Sequence, residues 1–413
     1  VRKGLALIAL LICVTMVQPL AVGAVDEKPA GKFKDVAANY WARAMIEQAV
    51  EKGYVDGFTD GTFKPENKVT RAEFIKMLVD ALKLPHVEKG SPWYQPYVAS
   101  LIEMGIHKES DFKSNYDSSL SRLEMVKLAA RATNPGIDND PNGTDPNYLV
   151  FLGTQSGILQ GTGNGNLDLK GTSTRAQAVV IIERILSVNA GKKLTIDKYA
   201  MSSAELAWHR TNVFTVMPEF FRTQYPFEVE QSIDPINKWD VSKMTLTSKD
   251  GKYSGAMNRI IAIDLADPKD PNRNLLGDIN KLKWYANGPV SNGVAEGYSI
   301  KSVTNSYILF FDGELIYNKD KKSYADERPV FTIIGDRPNQ SELKEFYKGK
   351  LNIAATVFVQ GISDTPAFII PKTSSVKYED LIIRLYTPSF IGASETKVDL
   401  IEVAGPGNPY VMP

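Results

Sequence analysis

Three short strings at a near-constant period constrain this chain more than anything else in it: Thr70-Arg71-Ala72-Glu73, Ser121-Arg122-Leu123-Glu124 and Thr174-Arg175-Ala176-Gln177. Their arginines stand 51 and 53 residues apart, which is the signature of one supersecondary unit used three times. Each string has the form Ser/Thr-x-x-Glu/Gln, in which the hydroxyl accepts from the backbone three residues on and the longer side chain reaches back. Each therefore opens a helix, and Glu73, Glu124 and Gln177 are capping residues rather than binding candidates. The apolar residues that follow keep matching offsets: Phe74, Met77, Leu78 and Ala81; Met125, Leu128, Ala129 and Ala132; Ala178, Ile181, Ile182 and Ile185. That spacing lays one buried stripe along each helix. Gly53, Gly105 and Gly157 precede the arginines by 18, 17 and 18 residues and close a second helix-like stretch in each unit. One helix pair of this size buries little, so the three units are expected to share a core.

Phe33-Lys34-Asp35-Val36, Tyr40-Trp41-Ala42 and the run Val55-Asp56-Gly57-Phe58-Thr59-Asp60-Gly61-Thr62-Phe63-Lys64-Pro65, ending in Thr70-Arg71-Ala72-Glu73, resemble the first S-layer homology module of a tandem triplet. The resemblance covers roughly residues 33 to 188. It implies an all-α, three-pronged pseudo-trimer whose intermodule grooves hold an acidic secondary cell-wall polysaccharide, often pyruvylated. The pattern weakens along the triplet. Trp93 precedes Gly105 as Trp41 precedes Gly53, but Asp145 holds that place in the third repeat. Gly57 and Gly161 follow their stop glycines by four residues, where the second repeat has Glu109.

An arginine directly after a helix cap sits where the macrodipole disfavours a cation by about 0.3–1 kcal/mol. Amide groups at a helix start favour an anion, and a guanidinium beside them fits a carboxylate bidentately. Arg71, Arg122 and Arg175 are accordingly the candidate receptors for a pyruvyl carboxylate. The other reading of the same residues is structural, with each arginine pairing to a neighbouring module. Trp41 and Trp93 are candidates to stack on sugar faces, or to pack at their helix starts. Gly57 and Gly161 allow close approach of a ligand to the backbone, or serve a turn.

Arg2-Lys3, the apolar stretch Leu5 to Val17 and Ala21-Val22-Gly23-Ala24 read as a signal peptide over 1–24, since Gln18-Pro19 interrupts the run short of the about 20 residues that span a bilayer. The only cysteine, Cys13, lies inside it, which leaves no disulfide or thiolate chemistry for the rest. Lys plus Arg and Asp plus Glu both number 48, so nothing points to nucleic acid, and no membrane association is expected after cleavage. Retention at the cell wall or surface must then come from binding. Modules are expected over 25–87, 88–140 and 141–190, and a β-rich sandwich-like or barrel-like domain over 191–413.

In that domain, Asn189 to Lys193 reads as a hinge. Asp250-Gly251 and Asp312-Gly313 read as hairpin turns, and strands are expected at Val330 to Ile334, Leu351 to Val359, Leu381 to Tyr386 and Lys397 to Val403, with a helix near Gln340 to Tyr347. The single histidine there, His209, excludes multi-histidine zinc sites and, beside Trp208, suits packing better than catalysis. Asp267 and Asp270 lack the spacing of a calcium loop. No metal, cofactor or catalytic residue is assigned. The expected function is a wall-anchored surface protein whose β-rich half displays, self-assembles or binds other surface proteins. The alternative is an anchored carbohydrate-active enzyme with its chemistry in residues 200–413.

Overall fold

The computed structural model describes residues 32–112, 115–221, 235–285, 297–334, 339–360, 364–373, 381–390 and 395–403; the expected signal peptide lies outside them. The N-terminal part is helical. The three caps open α2 (Arg71–Leu82), α4 (Arg122–Thr133) and α6 (Arg175–Asn189), each with both reciprocal capping bonds in place. The helices before them are α1 (Arg43–Glu51), α3 (Gln95–Glu103) and α5 (Pro146–Gln155). Gly53, Gly105 and Gly157 stop these at φ of 77°, 69° and 75°, where a side chain would be strained. Ile46, Phe74, Leu78, Leu101, Met125, Leu128, Ile158, Ile182 and Ile185 meet in one core, so no repeat buries its stripe alone.

The segments just before the caps tie the repeats together through backbone. Arg71 N donates to Ser118 O, Arg122 N to Gly171 O and Arg175 N to Asn67 O, at 2.9–3.0 Å. At the centre Leu120 N donates to Val69 O, Val69 N to Ser173 O and Ser173 N to Leu120 O, a closed ring of three bonds. The third repeat thus returns to the first.

Residues 189–193 are no free hinge. Gly191 caps α6, and the chain then passes so close to Gly157 that a Cβ there would lie 2.8 Å from Leu194 Cβ. Helices, not strands, follow: α7 (Lys198–His209), α8 (Val213–Val216) and α9 (Pro218–Phe221). Asp197 caps α7 by accepting from Tyr199 N and Ala200 N, and the small residues Ala200 and Ala204 bury its inner face.

The rest is antiparallel sheet. Strands β1 (Thr245–Thr247), β2 (Tyr253–Asp264), β3 (Lys283–Tyr285), β4 (Tyr298–Ser299), β5 (Ser306–Asn318), β7 (Ala355–Phe358) and β8 (Ala367–Pro371) form a seven-stranded sheet in the order β1-β2-β5-β8-β7-β3-β4. A second sheet orders β10 (Lys397–Val403), β9 (Leu381–Tyr386) and β6 (Val330–Ile334). The helix expected near Gln340 is present as α10 (Gln340–Tyr347), and β7 is shorter than the run expected from Leu351. Asp250-Gly251 turns β1 into β2 as expected, with Gly251 at φ 67°. Asp312-Gly313 does not turn. It lies inside β5, paired to Arg259 and Met257 of β2 across a bulge, where a Cβ on Gly313 would come 2.7 Å from Ala256 O. The glycine serves close backbone approach rather than reversal.

The long strands bury both faces. Ile260, Ala262, Leu309 and Phe311 face one core, while their neighbours Ile261, Ile263 and Ile308 face another. The first of these cores also takes in Phe331, Ile383 and Ile401 of the smaller sheet, Phe214 and Phe221 of the helices, and Val126, Val150 and Phe151 of the repeats. The helical part and the sheets are therefore joined by a continuous apolar contact.

Candidate functional site

The three arginines do not gather in one place. Each extends from its helix start across the boundary to a different repeat. Arg175, 9% exposed, donates through Nε to Phe63 O and through Nη2 to Asp56 O, both at 3.1 Å, with the rings of Phe63 and Phe58 at 4.8 and 5.1 Å. Arg122, 7% exposed, donates to Leu167 O at 3.0 Å and Gln160 O at 2.9 Å. Arg71 donates to Asn115 O at 2.8 Å and to the Glu124 carboxylate at 2.6 Å. All three bind main-chain carbonyls of the loop that precedes the next cap. They act first as struts between repeats, which corrects the picture of open receptors at helix tips.

Their electrostatics differ. Glu124 offsets the charge of Arg71 directly. Among the described residues no carboxylate forms an ion pair with Arg122 or Arg175. Burial lowers the pKa of both guanidiniums, and only longer-range attraction, from Asp168 and Glu73 respectively, opposes it. An arginine remains charged in such surroundings, so two of the three boundaries keep a fixed positive charge.

Trp41 and Trp93 are 61% and 49% exposed, and each leans on its neighbouring tyrosine, Tyr40 or Tyr94. Neither belongs to the core. The glycines behave otherwise. Gly57 packs under Phe33, whose ring would be 2.1 Å from an added Cβ, and Gly161 packs beside Asn166 O and donates its N–H to the α7 cap Asp197 at 3.1 Å. Neither has positive φ, so both the turn reading and the ligand-approach reading give way to side-chain and backbone packing.

Sequence reasoning missed a second strut at the boundary of the first and third repeats. Glu183 of α6, 5% exposed, accepts from Tyr54 Oη at 2.9 Å and from Lys52 Nζ. The signal was present as a lone carboxylate in the apolar run Val180-Ile181-Ile182-Glu183. In the C-terminal part, Asp267 is engaged by Lys198 and Tyr199, and Asp270 accepts from the backbone of Asp264 and Asn272. No group of three or more His, Cys, Asp or Glu side chains able to hold a metal occurs among the described residues. No described helix is long and apolar enough to cross a membrane.

The model of the S-layer homology domain matches residues 32–75. An S-layer protein of Bacillus thuringiensis subsp. finitimus is 28% identical over 214 residues, covering 45% of this chain and 26% of that protein. A cellulosome-anchoring protein of Acetivibrio thermocellus is 33% identical over 156 residues, 32% of this chain and 35% of that protein. An amylopullulanase of Thermoanaerobacterium thermosulfurigenes is 29% identical over 175 residues, 37% of this chain and 9% of that protein. The chain thus spans about a quarter of the S-layer protein and about a third of the anchoring protein that it matches.

Proposed function

We infer, from its being an S-layer homology domain protein of the cell surface, that this chain is anchored non-covalently to the wall by binding an acidic, pyruvylated polysaccharide at the boundaries between its repeats. The spans 25–87, 88–140 and 141–190 are read as three modules of one pseudo-trimeric anchor. Residues 191–413 are read as a sandwich-like unit for display or assembly. The observation that supports anion binding is the uncompensated charge of Arg122 and Arg175 at two boundaries, against the neutralised pair at Arg71. The amides at these helix starts are already bonded, so the fixed guanidinium charge is what attracts a sugar acid, and the exposed indoles of Trp41 and Trp93 offer faces for the sugar rings. The two charged boundaries are the preferred sites, and the Arg71 boundary contributes less.

The amylopullulanase likeness covers only 9% of that enzyme, and the sequence assigns no catalytic residue to 200–413, so the noncatalytic reading is kept. The test is sedimentation of the full chain with purified walls, before and after acid hydrolysis of the pyruvyl groups. Binding should fall by at least about tenfold on hydrolysis. Equal sedimentation with both preparations refutes the acidic-polymer reading.

A further inference from the structure

A cavity of about 970 Å³ opens where the third repeat meets the C-terminal unit. One wall is the loop from Asp140 to Tyr148, another is the end of α7 from Trp208 to Arg210, and a third is the segment containing Trp239 and Asp240. The volume is at the upper end of what small-molecule sites occupy, about 300–1,000 Å³. Aromatic rings form one part of a mainly polar lining. Tyr148 and Trp208 have centroids 4.6 Å apart, and His209 stacks on Trp208 at 3.5 Å.

His209 forms part of the inner wall of this cavity. It is 4% exposed, it lines the cavity, and its Nδ1 is buried with no hydrogen-bond partner. Burial pushes the His209 pKa down to about 4, so the ring is neutral near pH 7 and offers one donor and one acceptor.

The third repeat departs from the register of the first two at this wall. Asp145 stands where the first two repeats carry Trp41 and Trp93, and it is spent as the cap of α5, accepting from Asn147 N. Trp208 of α7 lies against Tyr148, three residues further along the third repeat.

The charge of the lining excludes anionic ligands. Asp140, Asp145 and Asp240 outnumber the one cation, Arg210, so an acidic polymer is repelled. Asp140 is occupied by Tyr148 Oη and Asn142 N. Asp145 and Asp240 each use Oδ1 as a cap, and Oδ2 of each has no hydrogen bond among the described residues. Acceptor oxygens beside aromatic faces, with the exposed amide of Asn237 at the rim, are the complement of a ring with apolar C–H faces and equatorial hydroxyls.

We propose that this cavity binds an uncharged oligosaccharide, at a site separate from the arginine boundaries. Titration calorimetry of the full chain with the trimers of β-1,4-glucose, α-1,4-glucose and β-1,4-N-acetylglucosamine tests it. At least one should bind one-to-one with Kd below about 1 mM and alter tryptophan fluorescence. Trp208→Ala should abolish binding. Asn237→Ala and Asp240→Asn, at exposed rim positions that leave the cores untouched, should each weaken it at least about fivefold. Wall sedimentation should be unchanged in both rim variants. The proposal is overturned if no trimer binds, if the rim variants bind as the parent does, or if the deacetylated, cationic glucosamine trimer binds more tightly than every uncharged one. It is equally overturned if the rim variants lose wall sedimentation, since the site is then part of the anchor.

Discussion

Replacing Arg175 by alanine and, in a second variant, by lysine separates the strut from the receptor. The guanidinium is 9% exposed and makes two hydrogen bonds to carbonyls, at 3.1 Å each. Bonds from a charged donor contribute about 1.5–3 kcal/mol each, and contact with the Phe58 and Phe63 rings adds about 0.5–1 kcal/mol. Dehydration of the buried cation offsets part of this, as its lowered pKa indicates. The net loss should be about 3 kcal/mol. For a unit the size of the three repeats this corresponds to a fall in Tm of about 6–12 °C, followed by far-UV circular dichroism. Arg175→Lys keeps the charge but lacks the planar fork, so it should recover less than half of the loss while retaining wall sedimentation. A loss below about 1 kcal/mol in Arg175→Ala would refute the strut.

Two further predictions follow from buried groups. The unfolded His209 imidazole titrates near 6.5, and burial brings the folded one to about 4. Between these values the unfolded chain binds the extra proton, so stability is complete above the upper one and falls with falling pH. At about pH 5 the loss should be about 2 kcal/mol relative to about pH 8, and His209→Phe should remove it from the urea midpoint; an unchanged pH slope would count against the buried neutral ring. Gly57→Ala places a Cβ 2.1 Å from Phe33 Cε1 without backbone strain and should cost about 1–3 kcal/mol in denaturant unfolding. Phe33→Leu in the same chain should restore part of that, and strict additivity of the two would contradict the packing.

The parts of this structure that were legible in the sequence are those whose cause is local. Thr70 and Glu73 cap within three residues of one another, and Gly53 needs its positive φ whatever surrounds it. The runs Leu381–Tyr386 and Lys397–Val403 are short, apolar and rich in β-branched residues, which is a local strand signal. The arginines stand out in the sequence by their repetition, but the acceptors of Arg122 and Arg175 are main-chain carbonyls, and a carbonyl leaves no mark in a sequence. Asp312-Gly313 misled because Asp-Gly suits both a turn and a bulge, and only the neighbouring strand decides between them. Gly57 was ambiguous for a similar reason: Phe33, which needs the space, is 24 residues away. α7 was readable from Asp197 and the small residues after it, but the strand-rich pattern downstream obscured it.

The bond from Ser173 back to Leu120, together with that from Val69 to Ser173, makes the last repeat the closing piece of the first. A chain threaded outward from its leading end therefore presents Val69 and Asn67 long before the residues that pair with them have emerged. Until about the third cap has crossed, the leading repeat has an incomplete core and an unfilled boundary. Any site built at a boundary between repeats is then completed only in that late step, and a chain stalled before that point lacks it.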